Sequence, residues 1–217
     1  MKDILKIFFL RWVGNFLVLS SIAAVVLTFA PAIQAEFFFR KDQAEGVTYV
    51  VAGDNIHSSN LFAVSEKVSE INPLSEDFGI VIPKIGANAK VIANVDPGNY
   101  GDYINALKLG VAHAKGTAFP GEAGNTYLFA HSVGNFWEVN QWNAVFYLLK
   151  ELKPGDEVDL FYKGKRYIYI VYNTQIISPE DTQYLSTVSN FPMVTLQTCW
   201  PPGTTLKRLL VFGRLKI

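Results

Sequence analysis

The residues best suited to chemistry cluster near the C-terminus. Cys199, the one cysteine in 217 residues, closes the run Thr195-Leu196-Gln197-Thr198-Cys199, and Arg208 follows nine residues later. A thiolate can attack a carbonyl carbon, and it needs a proton carrier and a group that stabilises the developing oxyanion. The apolar run ending at Leu196 and the run Leu206-Lys207-Arg208-Leu209-Leu210-Val211-Phe212 flank Pro201-Pro202-Gly203. That pattern predicts an antiparallel hairpin, with thiol and guanidinium meeting at its loop-proximal end. A neighbouring cation favours the reactive thiolate. By strand alternation Cys199 shares a half-polar face with Thr195 and Gln197, and only one of Lys207 and Arg208 faces the thiol. Taken alone, a cysteine in an apolar stretch is more often a small buried core residue, and a strand arginine more often pairs with a surface carboxylate.

The proton carrier must come from three histidines, His57, His113 and His131. His57 lies in a polar, turn-rich stretch and reads as solvated. His113 and His131 each fall at or near the end of a predicted strand, and spacing does not choose between them. His131 precedes the loop-forming Ser132-Val133-Gly134-Asn135, a setting in which catalytic groups are common.

Lysines plus arginines equal aspartates plus glutamates at 19 each, so the chain lacks the basic excess of a nucleic-acid binder. A single cysteine excludes an intrachain disulfide and cysteine-rich zinc sites. No cofactor or metal is expected. Glu180 and Asp181 read as solvated, since calcium needs six or more oxygens. Residues 1–11 carry Lys2, Lys6 and Arg11, and Trp12 to Ala35 has no charge. Those 24 positions would span about 36 Å as a helix. This predicts an uncleaved, single-pass membrane anchor with the N-terminus cytoplasmic and the remainder outside. Ile33 spoils Ala32-Ile33-Gln34-Ala35 as a signal-peptidase site.

Residues 36–77 read as a membrane-proximal connector. Phe37-Phe38-Phe39-Arg40-Lys41 suits the headgroup layer, and Leu61 to Ile71 has the spacing of a short helix. Residues 78–217 read as an all-β barrel or sandwich of seven or eight short strands. Within it, a short helix is predicted from Asp102, as N-cap, to Leu109, with Gly110 as its stop. Helical turns are predicted over Ala144–Leu149, in the aromatic stretch containing Phe136, Trp137 and Trp142. The alternation from Tyr167 to Tyr172 fits a strand in a sheet buried on both faces or in a small barrel.

The chain resembles the sortases, membrane-anchored bacterial cysteine transpeptidases. The resemblance covers Phe78 to the C-terminus. It rests on Ile80-Val81-Ile82-Pro83-Lys84-Ile85, on Gly116-Thr117-Ala118-Phe119-Pro120-Gly121-Glu122-Ala123-Gly124-Asn125, and on Leu128-Phe129-Ala130-His131-Ser132. Thr195-Leu196-Gln197-Thr198-Cys199 followed by Lys207-Arg208 is its most specific part. It implies an eight-stranded sortase β-barrel with short helices behind the anchor. It also implies that Cys199 is the nucleophile, His131 the proton donor and acceptor, and Arg208 the oxyanion or substrate stabiliser, with Thr198 helping to position substrate. His113 matches a family stretch outside that trio. The implied reaction cleaves a sorting signal, often of the Leu-Pro-x-Thr-Gly kind, through a thioester. The acyl part then passes to an amine of a cell-wall precursor or a pilin lysine, so the implied partners are signal-bearing surface proteins and that acceptor. The loop Ser178 to Asn190 is where the family usually reads the signal. Two departures stand out: Ala130 where many relatives have glycine, and a short 200–205 loop. The Ser-His-Gly-Cys arrangement of an L,D-transpeptidase is missing. The competing reading is a non-catalytic, membrane-tethered β-barrel for adhesion or scaffolding, with Cys199 buried.

Overall fold

The computed structural model describes residues 2–52, 67–132, 145–186 and 189–216. His57, Phe136, Trp137 and Trp142 lie outside the described residues, as does the first half of the helix expected over Leu61–Ile71.

The chain opens with one long helix, α1 (Lys2–Ala44). Its segment Asp3–Leu27 has a mean hydropathy of 1.8, is long enough to cross a bilayer, and is not buried by the rest of the chain. The helix does not stop where the apolar stretch ends. It runs on through Glu36–Ala44, and Phe39 is buried to 7% exposure in the same core as the barrel. Burying such a side chain contributes roughly 1.5–3 kcal/mol. Phe37 and Phe38, its neighbours, stay exposed.

Two short strands, β1 (Val47–Val51) and β2 (Lys67–Ile71), pair in parallel outside the barrel. The helix expected up to Ile71 is therefore a strand over its described part. The apolar spacing Val68/Ile71 suits either state. Pairing with β1 and packing of Val51 and Ile71 against Val81 and Phe161 decide it.

The remaining strands close into an eight-stranded mixed barrel. In chain order they are β3 (Phe78–Ile82), β4 (Ala87–Val95), β5 (Val111–Ala114), β6 (Gly124–Phe129), β7 (Glu157–Tyr162), β8 (Lys165–Ile177), β9 (Pro192–Trp200) and β10 (Lys207–Leu215). Around the barrel the order is β10-β8-β7-β3-β4-β5-β6-β9. The pairs β4–β5 and β6–β9 are parallel, and the rest antiparallel. Three short 3-10 turns, Pro83–Ile85, Tyr147–Glu151 and Gln183–Ser186, punctuate the connections.

Alternation assigns each strand two faces. Ile80, Ile82, Val111, Leu128, Val194, Leu196, Leu209 and Val211 point inward and form the barrel core. Tyr127, Phe129, Met193, Leu210 and Phe212 point outward into a second cluster, capped by α2 (Tyr100–Leu109) through Ala106 and Leu107. β8 is buried mainly on one face: Tyr169 and Val171 are inside, while Tyr172 is 47% exposed. Of the two settings the alternation allowed, the small barrel is the one observed, and the outer face of β8 has no covering element comparable to α2.

The N-cap of α2 is Asn99, whose Oδ1 accepts from the N–H groups of Gly101 and Asp102 at 3.0 and 3.3 Å. Asp102, the residue expected to cap, sits in the first turn instead. Gly110 ends the helix as expected, and a Cβ there would lie 2.3 Å from the Lys90 carbonyl oxygen. Only glycine lets the chain leave α2 and enter β5 so close to β4.

Candidate active site

The hairpin expected around Cys199 is present and tightly registered. β9 and β10 pair antiparallel, with Arg208 directly opposite Cys199, Leu209 opposite Thr198 and Leu210 opposite Gln197. Directly opposed residues share a face, so thiol and guanidinium lie side by side on the outer face, while Lys207 points the other way. Cys199 is partly exposed rather than sealed in the core. The half-polar face is not open along its whole length. Thr195 is fully buried, its hydroxyl donating to Asn125 Oδ1 at 2.9 Å. Only where the strands pass beyond the covering elements do Gln197 and Cys199 emerge.

Arg208 is held by its own turn. Its Nη1 donates to the carbonyl oxygens of Thr205 and Lys207, both at 3.1 Å. This fixes the guanidinium plane. Among the described residues, no acceptor takes its Nε and Nη2 donors.

His131 reaches the same end by a different route. β6 runs parallel to β9, with Phe129 in register with Gln197. Two residues further on, the two chains carry His131 and Cys199. Phe129 faces the outer cluster and Ala130 the barrel core, so alternation continued one step turns His131 to the outer, thiol-bearing face. The residues flanking His131 are stitched to the Cys199 hairpin. The Ala130 N–H donates to the Gln197 carbonyl at 3.1 Å, and the Ala130 carbonyl accepts from the Thr198 hydroxyl at 3.0 Å. On the other side, the buried Ser132 hydroxyl accepts from the Gly203 N–H at 3.4 Å. His131 is partly exposed between these ties.

Thr198 is buried to 3% exposure and directs its hydroxyl to Ala130. It therefore touches the strand that carries His131. His113 is the third histidine of interest and is fully buried. Its Nδ1 accepts from the Asn94 N–H at 3.3 Å, which leaves Nε2 to carry the proton and donate to the Ala118 carbonyl at 3.1 Å. It packs against the rings of Phe78 and Phe119, at 5.5 and 4.8 Å between centroids. Burial lowers its pKa.

A cavity of about 570 Å³ adjoins Arg208. Tyr103, Tyr127 and Gln197 line it, and the loop after β8 contributes Pro179, Asp181, Thr182 and Leu185 to its wall. The Tyr127 hydroxyl donates to Gln197 Oε1 at 2.6 Å, so one amide edge of Gln197 is fixed. Tyr103 stacks on Phe129 with centroids 5.5 Å apart. Burial raises the Tyr103 pKa, and Cys199 and Arg208 are close enough to act on it electrostatically in opposite senses. Burial likewise raises the Tyr127 phenol. The sequence reading named neither tyrosine nor Gln197 as part of the site; the placement of Gln197 two residues before Cys199 on one face was the available signal. Glu180 accepts from the Ser178 hydroxyl, and no cluster of three or more possible metal ligands occurs among the described residues.

The closed mixed barrel thus carries a thiol, a guanidinium and an imidazole-bearing strand end toward one rim, and that combination of fold and side chains defines its class. The comparisons with known proteins agree with that class. Residues 80–216 match the family model described as a sortase domain, so the chain belongs to the sortase family, whose members are known as cysteine transpeptidases. Sortase D of Bacillus subtilis (strain 168) is 26% identical over 136 residues, 61% of this chain and 60% of that protein. The match thus spans three fifths of that relative's length. Among solved structures, sortase C-1 from Actinomyces oris is 30% identical with a TM-score of 0.55, covering 64% of this chain and 73% of that one. Sortase A from Corynebacterium diphtheriae is 27% identical with a TM-score of 0.54, covering 64% and 60%. The barrel fold expected from the sequence is the one observed.

Proposed function

We propose that this sortase is an active transpeptidase in which Cys199, His131 and Arg208 act together on a sorting signal. The observation that carries this reading is the lacing of the His131 strand end to the Cys199–Arg208 hairpin from both sides. A rigid rim of this kind holds reacting groups in position before substrate arrives, which is where much of an enzyme's rate enhancement originates.

The Cys199 thiolate attacks the scissile carbonyl of the signal. Negative charge develops on the carbonyl oxygen, where the free N–H donors of Arg208 stabilise it. Collapse breaks the C–N bond and leaves an acyl thioester on Cys199. The departing amine takes its proton from His131. An incoming amine then gives a proton to the same imidazole, attacks the thioester carbonyl, and expels the thiolate. Thr198 contributes by positioning: its hydroxyl holds Ala130, and so the chain leading into His131. The cavity beside Arg208 receives the acyl half of the signal. Its aromatic walls suit apolar side chains, and Gln197, braced by Tyr127, offers its amide to the peptide backbone. A Leu-Pro-x-Thr-Gly type signal, part apolar and part polar, fits a lining that mixes Tyr103, Tyr127 and Leu185 with Thr182 and Gln197. The acceptor is an amine of a cell-wall precursor or a pilin lysine, the substrates are surface proteins, and α1 anchors the enzyme with its barrel outside the cell.

Transfer of a labelled signal peptide to a small amine, followed by chromatography, tests the reading. The wild-type chain is expected to form the amide and Cys199→Ala to form none. Equal turnover by Cys199→Ala would refute the reading, and a folded wild-type chain inert toward a broad signal library would favour a scaffold.

A further inference from the structure

The connection between α1 and the barrel carries a second conclusion, which rests on reading α1 as membrane-spanning. A flexible tether would leave the barrel free to tumble above the bilayer. Here the helix is unbroken from Lys2 to Ala44, and its last turns are bolted to the barrel. Phe39 enters the barrel core together with Ile85 and Leu148. Glu36 receives a hydrogen bond from Lys150 Nζ at 2.9 Å, with both side chains largely covered. That contact, with Arg40 adding to it, holds the Glu36 carboxyl below its ordinary pKa. Further along, the Tyr49 hydroxyl donates to Asp42 at 2.8 Å and Lys67 reaches Glu45 at 3.0 Å.

The strand directions reveal which end of the barrel is bolted. Arg208 on β10 pairs with Ile177, the last residue of β8. β8 is antiparallel to β7, so the end of β8 and the start of β7 point toward the same end of the barrel, Glu157 lying opposite Ile170 and Ile177 standing seven residues further along β8. β7 is antiparallel to β3, so the end of β3 lies there too. The 3-10 turn Pro83–Ile85 follows β3, and the turn Tyr147–Glu151 precedes β7. These two turns supply Ile85, Leu148 and Lys150, the partners of α1. The anchor therefore docks toward the same end of the barrel as Cys199 and Arg208, on the side across from them. At about 1.5 Å per residue, Phe39 lies only about 6 Å beyond Ala35 along the helix, and about 18 Å beyond Leu27.

We propose that α1 is a strut, not a tether, and that it holds the site-bearing end of the barrel against the lipid headgroup layer. The barrel end that carries the Pro83–Ile85 and Tyr147–Glu151 turns then faces the membrane, and its partner is the bilayer in which the chain is anchored. Cys199 is carried at a fixed height close to the headgroups instead of sampling a wide volume.

The sole cysteine makes the test direct. The full chain, labelled on Cys199 with a donor dye and reconstituted in nanodiscs containing headgroup-labelled acceptor lipid, is measured by time-resolved energy transfer. The wild-type chain is expected to show strong transfer with a narrow distance distribution. A twelve-residue Gly-Ser insertion between Ala35 and Glu36 leaves the docked turns on the barrel but frees it by about 20 Å. Transfer should weaken and the distribution should broaden. Glu36→Lys and Lys150→Glu should each broaden the distribution, and the double charge swap should narrow it again. Equal transfer in wild type and insertion variant would overturn the proposal, as would a folded double swap no narrower than the single variants. The labelled chain needs no turnover, so failure to find peptide transfer would leave this result standing.

Discussion

His113 and His131 sit on neighbouring antiparallel strands, yet the barrel treats them in opposite ways. His113 shares the inward parity of Val111, and its ring nitrogens are satisfied by the Asn94 N–H on one side and by the Ala118 carbonyl and Thr117 hydroxyl on the other. Its contact with Phe78, the first residue of β3, puts it toward the rim away from Cys199. His131 follows the outward parity of Phe129, and its flanking residues are tied to the Cys199 hairpin. A histidine that makes two backbone hydrogen bonds in a dry core has no spare nitrogen for a substrate. A partly exposed one at a rim is within reach of solvent. The lesson is that a barrel assigns function by face and rim, not by proximity in sequence.

Breaking the outer site should have the largest effect. Cys199→Ala removes the nucleophile and should abolish transfer. His131→Ala and Arg208→Ala should each lower the transfer rate by about 10²–10⁴-fold with the melting temperature little changed. Steady-state rates and thermal melts on the same preparations check both halves. The inner histidine should show the reverse. His113→Ala strands the Asn94 N–H and Ala118 carbonyl and should cost about 1–3 kcal/mol in denaturant unfolding, while the rate per folded molecule holds. A His113 variant that is folded but inactive, beside a fully active His131 variant, would invert the assignment.

Thr198→Val sharpens the comparison, because it loosens the His131 strand end without touching either histidine. It should cost about 1 kcal/mol of stability and also slow transfer by a smaller factor than His131→Ala. A stability loss with an unchanged rate would show that the Ala130 tie serves the fold alone. The smallest effect concerns pH. Burial lowers the folded-state pKa of His113 below its ordinary 6.5, so the unfolded chain takes up that proton first. Stability should then fall as pH drops from the ordinary value toward the lowered one, and level off below it. Chemical denaturation of His113→Gln across this window should show a shallower slope than wild type.

Much of the site was legible because it is written in short alternating strands. The Cys199–Arg208 register follows from two runs and a tight turn, and the outer placement of Cys199 from counting by twos. Which of His113 and His131 faces outward was not legible by spacing, since that depends on how the barrel closes. Nor were Tyr103 and Tyr127, which meet Gln197 only once α2 and β6 are assembled. Phe37-Phe38-Phe39 makes the same point: three identical residues read as one headgroup belt, but the helix turns only Phe39 into the core. β2 went unread because its apolar spacing suits a helix as well, and its partner β1 lies sixteen or more residues away.

Intact-mass spectrometry of the protein incubated with sorting-signal peptides tests the central claim most directly. The expected adduct equals the acyl half of the signal, maps by fragmentation to Cys199, is released by hydroxylamine, and accumulates more slowly in His131→Ala. A full-length chain that cleaves its signal with no acyl adduct, or with the adduct on another residue, would contradict it.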